Sequence, residues 1–142
     1  MRKIPTILLV DDDDTTNFLH QRLLDRLDVF EQVLVTGNGQ QALEMLAQFT
    51  GQFSPLNPLL ILLDLNMPVM DGFEFLEAFQ ALPSAQQQGA VIVVLTSSLN
   101  AQDLARSTNL PVAGFLNKPL DKEKVDSLLQ IHFGLPALAV AK

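Results

Sequence analysis

The amino-acid sequence predicts an α/β fold, a doubly wound parallel sheet of five strands with helices on both faces. Three observations support this prediction. Five short apolar runs are bounded by turn residues, segments with helical spacing lie between them, and the two kinds of segment alternate along the chain. Alternating strands and helices are typical of a parallel sheet that helices cover on both sides.

The five predicted strands are continuous apolar runs rather than alternating ones. A continuous run is typical of a parallel strand that is buried on both faces. The runs cover residues 6–10, 32–35, 59–63, 91–95 and 112–116.

Five helices are predicted between and after these strands, because apolar residues recur there at intervals of three and four. The first three are marked by Leu19, Leu23, Leu24 and Leu27, by Leu43, Leu46 and Ala47, and by Phe75, Leu76, Phe79 and Leu82. A weaker pattern covers residues 101–107, and the fifth helix is marked by Val125, Leu128, Leu129 and His132. Capping pairs support three boundaries: Asp71 with Glu74, Asn100 with Asp103, and Gly134 with Pro136. Residues 50–58 and 83–90 have the composition of surface connections.

The composition is that of one soluble globular domain. Of 142 residues 48% are hydrophobic and 18% charged, so we expect a single domain over 1–142, with a core at about 4–133 and a tail at 134–142. The short apolar start leads into aspartates, so we expect no export signal. No apolar run approaches the roughly 20 residues of a membrane-spanning helix, so we expect no membrane association. The expected location is cytoplasmic. Because cysteine is absent, disulfides and thiolate metal sites are excluded. The net charge of −7 argues against direct nucleic-acid binding and favours protein partners.

Four consecutive aspartates, residues 11–14, directly follow the first predicted strand. Ligands of an open α/β sheet bind at the carboxyl ends of its strands, near the point where the strand order reverses. Polar residues that end strands are therefore the candidates for a functional site. They are Asp11 and Asp12 after the first strand, Asp64 after the third, Thr96 and Ser97 after the fourth, and Asn117 and Lys118 after the fifth.

These residue types together predict a cation site with phosphoryl chemistry. Neighbouring carboxylates raise one another's pKa unless a cation neutralises them, and sites with oxygen ligands and room for water suit Mg²⁺ best. A divalent metal beside a carboxylate, a lysine and a hydroxyl provides what phosphoryl transfer needs, which is charge stabilisation and an oxygen nucleophile. One of the aspartates could therefore accept a phosphoryl group.

Four motifs make the chain resemble the receiver domains of two-component response regulators, of the stand-alone chemotaxis type. The motifs are LLVDD at 8–12, LLDLNMPVMDG at 62–72, VVLTSS at 93–98 and GFLNKPL at 114–120. They occur in the family's order, and the resemblance covers nearly the whole chain, from Ile4 to about Phe133. It implies a flavodoxin-like (βα)5 fold. It also implies a signalling phosphoacceptor that catalyses only its own phosphorylation and dephosphorylation, rather than an enzyme with a released substrate.

The resemblance implies roles for residues that match the family's motifs. Asp64 matches the phosphoacceptor, which takes its phosphoryl group from a phosphohistidine of a sensor kinase. Asp12 resembles the direct Mg²⁺ ligand, with Asp11 in support. Asp64 and the backbone carbonyl of Asn66 complete the protein's ligands. Asn66 and Ser98 match positions at which the family varies and at which the rate of dephosphorylation is tuned.

The resemblance also implies a switch. Lys118 matches the residue that pairs with the phosphoryl oxygens, and its bond to Pro119 is expected to be cis. Thr96 matches the hydroxyl that moves toward the phosphoryl group, with Ser97 beside it, and Phe115 matches the aromatic ring that follows inward. Because a phenylalanine lacks the hydroxyl that many relatives carry here, burial must drive its movement. The switch would bias a surface made by the fourth helix, the fifth strand and the fifth helix.

Four other polar residues are interpreted structurally. Asp13 is expected to cap the first helix and Asp14 to lie in its first turn, where the helix dipole favours negative charge. His20 and His132 lie in predicted helices without a kinase or phosphotransfer signature, so both are expected to be structural or exposed.

The expected partners are proteins of a signalling pathway. The donor would be a sensor histidine kinase or a phosphotransfer protein, chosen by the exposed face of the first helix around Asn17, Phe18 and Gln21 and by the loop after Lys118. Output would run through contact with a downstream protein or onward in a phosphorelay. A homodimer through the face of the fourth and fifth helices is left open.

Two alternatives compete with this hypothesis. Asp11, Asp13 and Thr15 fit the D-x-D-x-T pattern of haloacid-dehalogenase-type phosphatases, in which the first Asp is the nucleophile and the second is a general acid. VVLTS and Lys118 also resemble later motifs of those phosphatases. However, no paired acidic motif ends a strand after Lys118, and the strand that ends at Asp64 would be unexplained. A pure interaction module with a degenerate site is weakened because every key side chain is present.

Overall fold

The structure is a computed structural model that describes residues 3–97 and 100–134. These residues form five strands and six helices, which alternate except that two helices lie between the third and fourth strands. The strands are β1 (Ile4–Val10), β2 (Phe30–Thr36), β3 (Leu59–Leu63), β4 (Ala90–Thr96) and β5 (Gly114–Asn117). The helices are α1 (Asp14–Leu27), α2 (Gly39–Gln48), α3 (Gly72–Gln80), α4 (Ser84–Gln87), α5 (Ala101–Arg106) and α6 (Lys122–Phe133).

The sheet is parallel throughout, with the strand order β2-β1-β3-β4-β5. From β1 the chain first adds β2 on one side and then β3 on the other, so the order reverses between β1 and β3. Val10 pairs with Leu63 in the register of these two strands. The residues that follow them, Asp11 and Asp64, therefore leave the sheet side by side at the position where such folds bind ligands.

Both faces of the sheet are buried. In β1, Ile7 and Leu9 face one hydrophobic cluster while Leu8 and Val10 face another. The first cluster is closed by residues of α1 and α6, which are Leu24, Val125, Leu128 and Leu129. The second is closed by residues of α2 and α3, which are Ala42, Leu46, Phe75, Leu76 and Phe79. The predicted doubly wound fold is therefore confirmed, and the apolar runs are continuous because successive side chains enter opposite cores.

The observed boundaries differ from the predicted ones mainly around β5 and α4. The fifth strand was predicted at 112–116, but Val112 N–H donates to the carbonyl of Leu110 at 2.8 Å, so a turn occupies its first residues. Residues 83–90, predicted as a plain connection, contain the short helix α4, where Gln87 Nε2 donates to the carbonyl of Leu82 at 2.6 Å. The fourth and fifth predicted helices are consequently α5 and α6.

The predicted capping residues lie at the helix ends. Asp71 and Glu74 form a capping box in which each side chain accepts the other's backbone N–H, at 2.9 and 3.0 Å. Asn100 accepts the backbone N–H of Asp103 at 2.9 Å. Gly134 ends α6 with a φ of 64°, a left-handed conformation that glycine adopts without strain. The rest of the predicted tail, 135–142, lies outside the described residues.

Candidate functional site

Three carboxylates meet at the carboxyl ends of β1 and β3. Oxygen atoms of Asp11, Asp12 and Asp64 all lie within 4.8 Å of one another. Asp11 is 5% exposed and Asp64 is 7% exposed, while Asp12 lies open to solvent. The cluster is therefore a partly desolvated pocket with an open side, through which an ion and its water could enter.

Asp11 is held in a fixed orientation by the residues around it. Its Oδ1 accepts the backbone N–H of Asp13 at 2.9 Å, and its own N–H donates to the carbonyl of Thr36 on β2 at 3.1 Å. Its carbonyl accepts a hydrogen bond from Asn17 Nδ2, on α1, at 2.9 Å. These bonds leave Oδ2 directed at the site.

Lys118 brings a cation to this cluster from the end of β5. Its Nζ lies 2.5 Å from Asp11 Oδ2 and 3.4 Å from Asp64 Oδ2. Its backbone N–H donates to the carbonyl of Thr96 at 2.9 Å, which ties the lysine to the end of β4. The Lys118–Pro119 bond is cis, as predicted.

The electrostatics of the site follow from this geometry. Burial raises the pKa of Asp64; the charge of Lys118 opposes this shift, and the charge of Asp11 reinforces it. Burial lowers the pKa of Lys118, but its bonds to Asp11 and Asp64 outweigh that effect and raise the pKa above its ordinary value. Lys118 is therefore a charged ammonium that only partly neutralises the three carboxylates, and the pocket keeps an excess of negative charge.

The donor set fits a hard divalent cation. Carboxylate oxygens, one solvent-exposed ligand and uncompensated negative charge suit Mg²⁺, which keeps several waters when a protein binds it. Asn66, whose backbone carbonyl was predicted as a further ligand, lies exposed in the loop after Asp64.

Thr96 ends β4 beside the carboxylates with an unsatisfied hydroxyl. It is fully buried, and its Oγ1 has no hydrogen-bond partner among residues 3–97 and 100–134. Because buried polar groups are nearly always paired, this hydroxyl is available to bond to a group that enters the site. Ser97 is exposed next to it, whereas Ser98 lies outside the described residues.

Phe115 lies on β5, half-buried, and packs against a small cluster made by Leu65, Phe73 and Val94. Leu65 directly follows Asp64, so the ring of Phe115 contacts the cluster that adjoins the carboxylate end of β3. The structure thus places the ring near the site, and its predicted movement remains a prediction.

The four consecutive aspartates divide into two pairs. Asp11 and Asp12 lie in the cluster, whereas Asp13 stands at the N-cap position of α1 and Asp14 in its first turn. The Asp13 carboxylate is exposed and accepts a hydrogen bond from the Thr16 hydroxyl, which lowers its pKa. A phosphatase of the alternative type would need Asp13 as a general acid beside Asp11, so its outward position argues against that mechanism.

One α1 residue corrects the sequence interpretation. Asn17 was placed on the exposed kinase-facing surface, but it is buried and bonds to Asp11. His20, expected to be structural or exposed, is buried, and its Nε2 accepts the backbone N–H of Leu120 at 3.3 Å. For Asn17 the three-residue spacing to His20 on one face of α1 was the available signal, but its residue type suggested a polar surface.

The outer side of α1 forms one wall of a groove beside the site. The groove has a volume of about 530 Å³ and lies between α1 and the turn that follows Lys118. Leu19 and Leu23 line it from α1, and Pro119 and Leu120 line it from the turn. Phe18 precedes Leu19 and is 56% exposed, and Lys118 is a further lining residue, so this apolar surface reaches the site at Lys118.

Comparison with known proteins identifies relatives over nearly the whole chain. The family described as the response regulator receiver domain matches residues 7–130. The chain is 30% identical over 128 residues to a probable chemotaxis protein CheY of Rhizobium etli, which covers 90% of this chain and 92% of that protein. It is 32% identical over 124 residues to the response regulator Rcp1 of Synechocystis sp., covering 87% of this chain and 83% of that one.

Solved structures agree. A two-component response regulator from Cytophaga hutchinsonii superposes with a TM-score of 0.78 at 27% identity, over 91% of this chain and 96% of that chain. In the described part of this chain, no helix is long and apolar enough to cross a membrane. The four motifs, the order of the strands and the placement of the carboxylates agree with these matches, and the chain belongs to the response regulator receiver domain family.

Proposed function

We propose that this protein is a signalling phosphoacceptor in which Asp64 takes a phosphoryl group from a phosphohistidine. The observation that carries the proposal is the convergence of Asp11, Asp12, Asp64 and Lys118 at one sheet edge. An oxygen of Asp64 attacks the phosphorus and forms an O–P bond. The P–N bond of the donor breaks, and its ring nitrogen leaves with the electron pair. The protein would catalyse only its own phosphorylation and dephosphorylation.

Asp11, Asp12, Asp64 and the backbone carbonyl of Asn66 would hold Mg²⁺. When bound, the ion spreads the negative charge that gathers on the transferring phosphoryl group. The chain's own residues supply the rest: Asp13 N–H and Asn17 keep Asp11 in place. Lys118, already within 3.4 Å of Asp64, would pair with the phosphoryl oxygens after transfer.

Phosphorylation would switch a surface through Thr96 and Phe115. The buried hydroxyl of Thr96 gains a partner when a phosphoryl oxygen reaches the site, and this new charge-assisted bond favours an inward position. Phe115 would follow inward, against the cluster of Leu65, Phe73 and Val94 on which it already packs. The surface that responds is made by α5, β5 and α6, and a homodimer through α5 and α6 would use the same surface.

The donor is a sensor histidine kinase or a phosphotransfer protein, and the output is contact with a downstream protein. The apolar groove between α1 and the turn after Lys118 supports a donor site here, because Lys118, which pairs with Asp11 and Asp64, is one of its lining residues. Phe18 is exposed on α1, and Gln21 is half-buried there, so they belong to the docking surface. The buried Asn17 does not.

Labelling with a small phosphodonor tests the proposal. Wild-type protein, Asp64→Asn, Asp11→Asn and Asp14→Asn are each incubated with acetyl phosphate and Mg²⁺, and intact mass is measured. We expect wild type and Asp14→Asn, whose carboxylate is exposed on α1, to gain one phosphoryl group. Asp64→Asn gains none, and Asp11→Asn is labelled more slowly because a metal-holding carboxylate is lost.

The opposite pattern supports the alternatives. Labelling of Asp64→Asn together with its loss in Asp11→Asn would favour the phosphatase mechanism, in which Asp11 is the nucleophile. A wild-type protein that neither takes the label nor binds Mg²⁺ would be an interaction module.

A further inference from the structure

His20 has a contact that the proposed function does not use. It lies on the inward face of α1 and is 4% exposed. Its Nε2 accepts the backbone N–H of Leu120 at 3.3 Å, although the two residues are 100 positions apart in the sequence. Because Nε2 is the acceptor, this nitrogen carries no proton. The imidazole is therefore a fixed polar link between α1 and the turn after β5.

That turn carries Lys118 and is tied down at several points. Lys118 N–H donates to the carbonyl of Thr96 at 2.9 Å. On the far side, Lys124 Nζ donates to the carbonyls of Asn117 at 2.7 Å and Pro119 at 2.9 Å. These bonds come from β4 and α6. The bond from His20 comes from α1, the helix that begins directly after the carboxylates.

His20 therefore joins the two halves of the site. Asn17, one helical turn before it, holds the carbonyl of Asp11. Through these two side chains α1 contacts both the strand end that bears Asp11 and the turn that bears Lys118. The Lys118 ammonium lies 2.5 Å from Asp11 and 3.4 Å from Asp64, so a small shift of the turn would change both distances. Misplacement by about 1 Å can cost a reaction about a hundredfold in rate.

We propose that His20 is a positioning residue for phosphoryl transfer, which holds Lys118 against Asp64 by accepting the N–H of Leu120. This inference rests on the proposed function of Asp64. A histidine with a purely structural role would affect the stability of the fold, whereas a positioning residue affects the rate at which Asp64 is phosphorylated.

Two amide variants separate these roles. The amide of a glutamine can place its oxygen where Nε2 stands, while the shorter asparagine reaches only the position of Nδ1. His20→Gln and His20→Asn therefore bury the same polar group, and they differ in whether Leu120 N–H keeps its acceptor. Leu24→Ala serves as a stability control, because this buried leucine of α1 packs in the hydrophobic cluster between the helix and the sheet.

The experiment measures phosphorylation by acetyl phosphate at saturating Mg²⁺, the Mg²⁺ concentration that gives half the maximal rate, and thermal unfolding. We expect His20→Asn to lower the maximal rate constant about tenfold, since Lys118 is displaced. The half-saturating Mg²⁺ concentration should not rise, because Lys118 competes with the cation for the carboxylates rather than binding it. His20→Gln should restore the rate, and Leu24→Ala should lose stability while it keeps the rate at temperatures where it is folded.

Equal rates for His20→Asn and wild type would overturn the inference. So would equal rates for His20→Asn and His20→Gln, or a loss of rate in Leu24→Ala as large as that in His20→Asn. Wild-type protein that takes no label would instead contradict the proposed function itself, and this outcome is distinct because it does not depend on position 20.

Discussion

At the scale of single residues, Lys118 has two opposing effects. Its ammonium compensates the buried carboxylates of Asp11 and Asp64. It also competes with a divalent cation for the same carboxylate oxygens. Removal of one partner from a buried ion pair is costly because the other charge is left uncompensated. We therefore expect Lys118→Met to lower the free energy of unfolding by about 3 kcal/mol when no divalent cation is present.

Added Mg²⁺ should stabilise this variant more than it stabilises wild type, because no ammonium then competes for the carboxylates. Urea unfolding with and without Mg²⁺ measures both effects. Lys3→Met is the control, since Lys3 pairs with Asp28 at 2.8 Å on the exposed surface, where ion pairs contribute little. An equal response of the two variants to Mg²⁺ would contradict the assignment of Lys118 to the site.

Asp64 makes stability depend on pH. Burial raises its pKa in the folded state above the ordinary value of 3.8, so between these two values the folded state binds more protons than the unfolded state. Stability from this group is therefore fully present below pH 3.8 and is lost as pH rises through the raised pKa. Without divalent cations, Asp64→Asn should be more stable than wild type near neutral pH.

That advantage should shrink as pH falls toward 3.8, where the wild-type carboxyl becomes neutral as well. Thermal unfolding in a chelating buffer across the acid range measures it. With Mg²⁺ present, the effect of the Asp64→Asn substitution on stability should reverse sign, because a bound cation favours the charged form of Asp64. An advantage of Asp64→Asn that does not vary with pH would show that the desolvated charge is not its cause.

At the scale of elements, α3 packs unusually close to the loop that follows β3. A Cβ atom at Gly72 would lie 2.6 Å from the carbonyl oxygen of Asp64 and 2.8 Å from Leu65 Cα. Both neighbours are backbone atoms, so they cannot move aside without shifting the loop that follows β3. We expect Gly72→Ala to destabilise the protein by about 2 kcal/mol and to slow phosphorylation of Asp64.

Chemical unfolding and acetyl phosphate labelling test this expectation. Gly37→Ala is the matched control, because a Cβ there meets only the side chain of Gln41 at 3.4 Å. It should keep both stability and labelling rate. A Gly72→Ala variant with normal labelling would indicate that the loop tolerates displacement of α3.

Elements were predictable where local pattern and tertiary environment agree. The run at 59–63 coincides with β3 because each of its side chains enters a core, and the helix ends at Asp71 and Gly134 follow from local capping. The predicted start of β5 was wrong, because an apolar run alone does not show where a turn ends. The helix α4 was missed because four residues are too short for a periodic pattern.

At the scale of the whole molecule, the fold could be predicted because the order of strands and helices leaves few topologies. The carboxylates and Lys118 could be placed together because parallel strands end at one edge. The contacts of Asn17 and His20 could not be predicted, since they depend on which face of α1 is turned toward that edge. Such a rotation follows from packing, and for Asn17 the residue type had indicated an exposed position instead.

The central claim is that Asp64 is the phosphorylated residue, and the most direct test maps the modification itself. Wild-type protein is phosphorylated by acetyl phosphate with Mg²⁺, the acyl phosphate is reduced with borohydride, and the resulting homoserine is located by peptide mass spectrometry. We predict reduction at position 64 and only when Mg²⁺ is present. Homoserine at position 11, or a phosphoryl group that resists borohydride, would contradict this account.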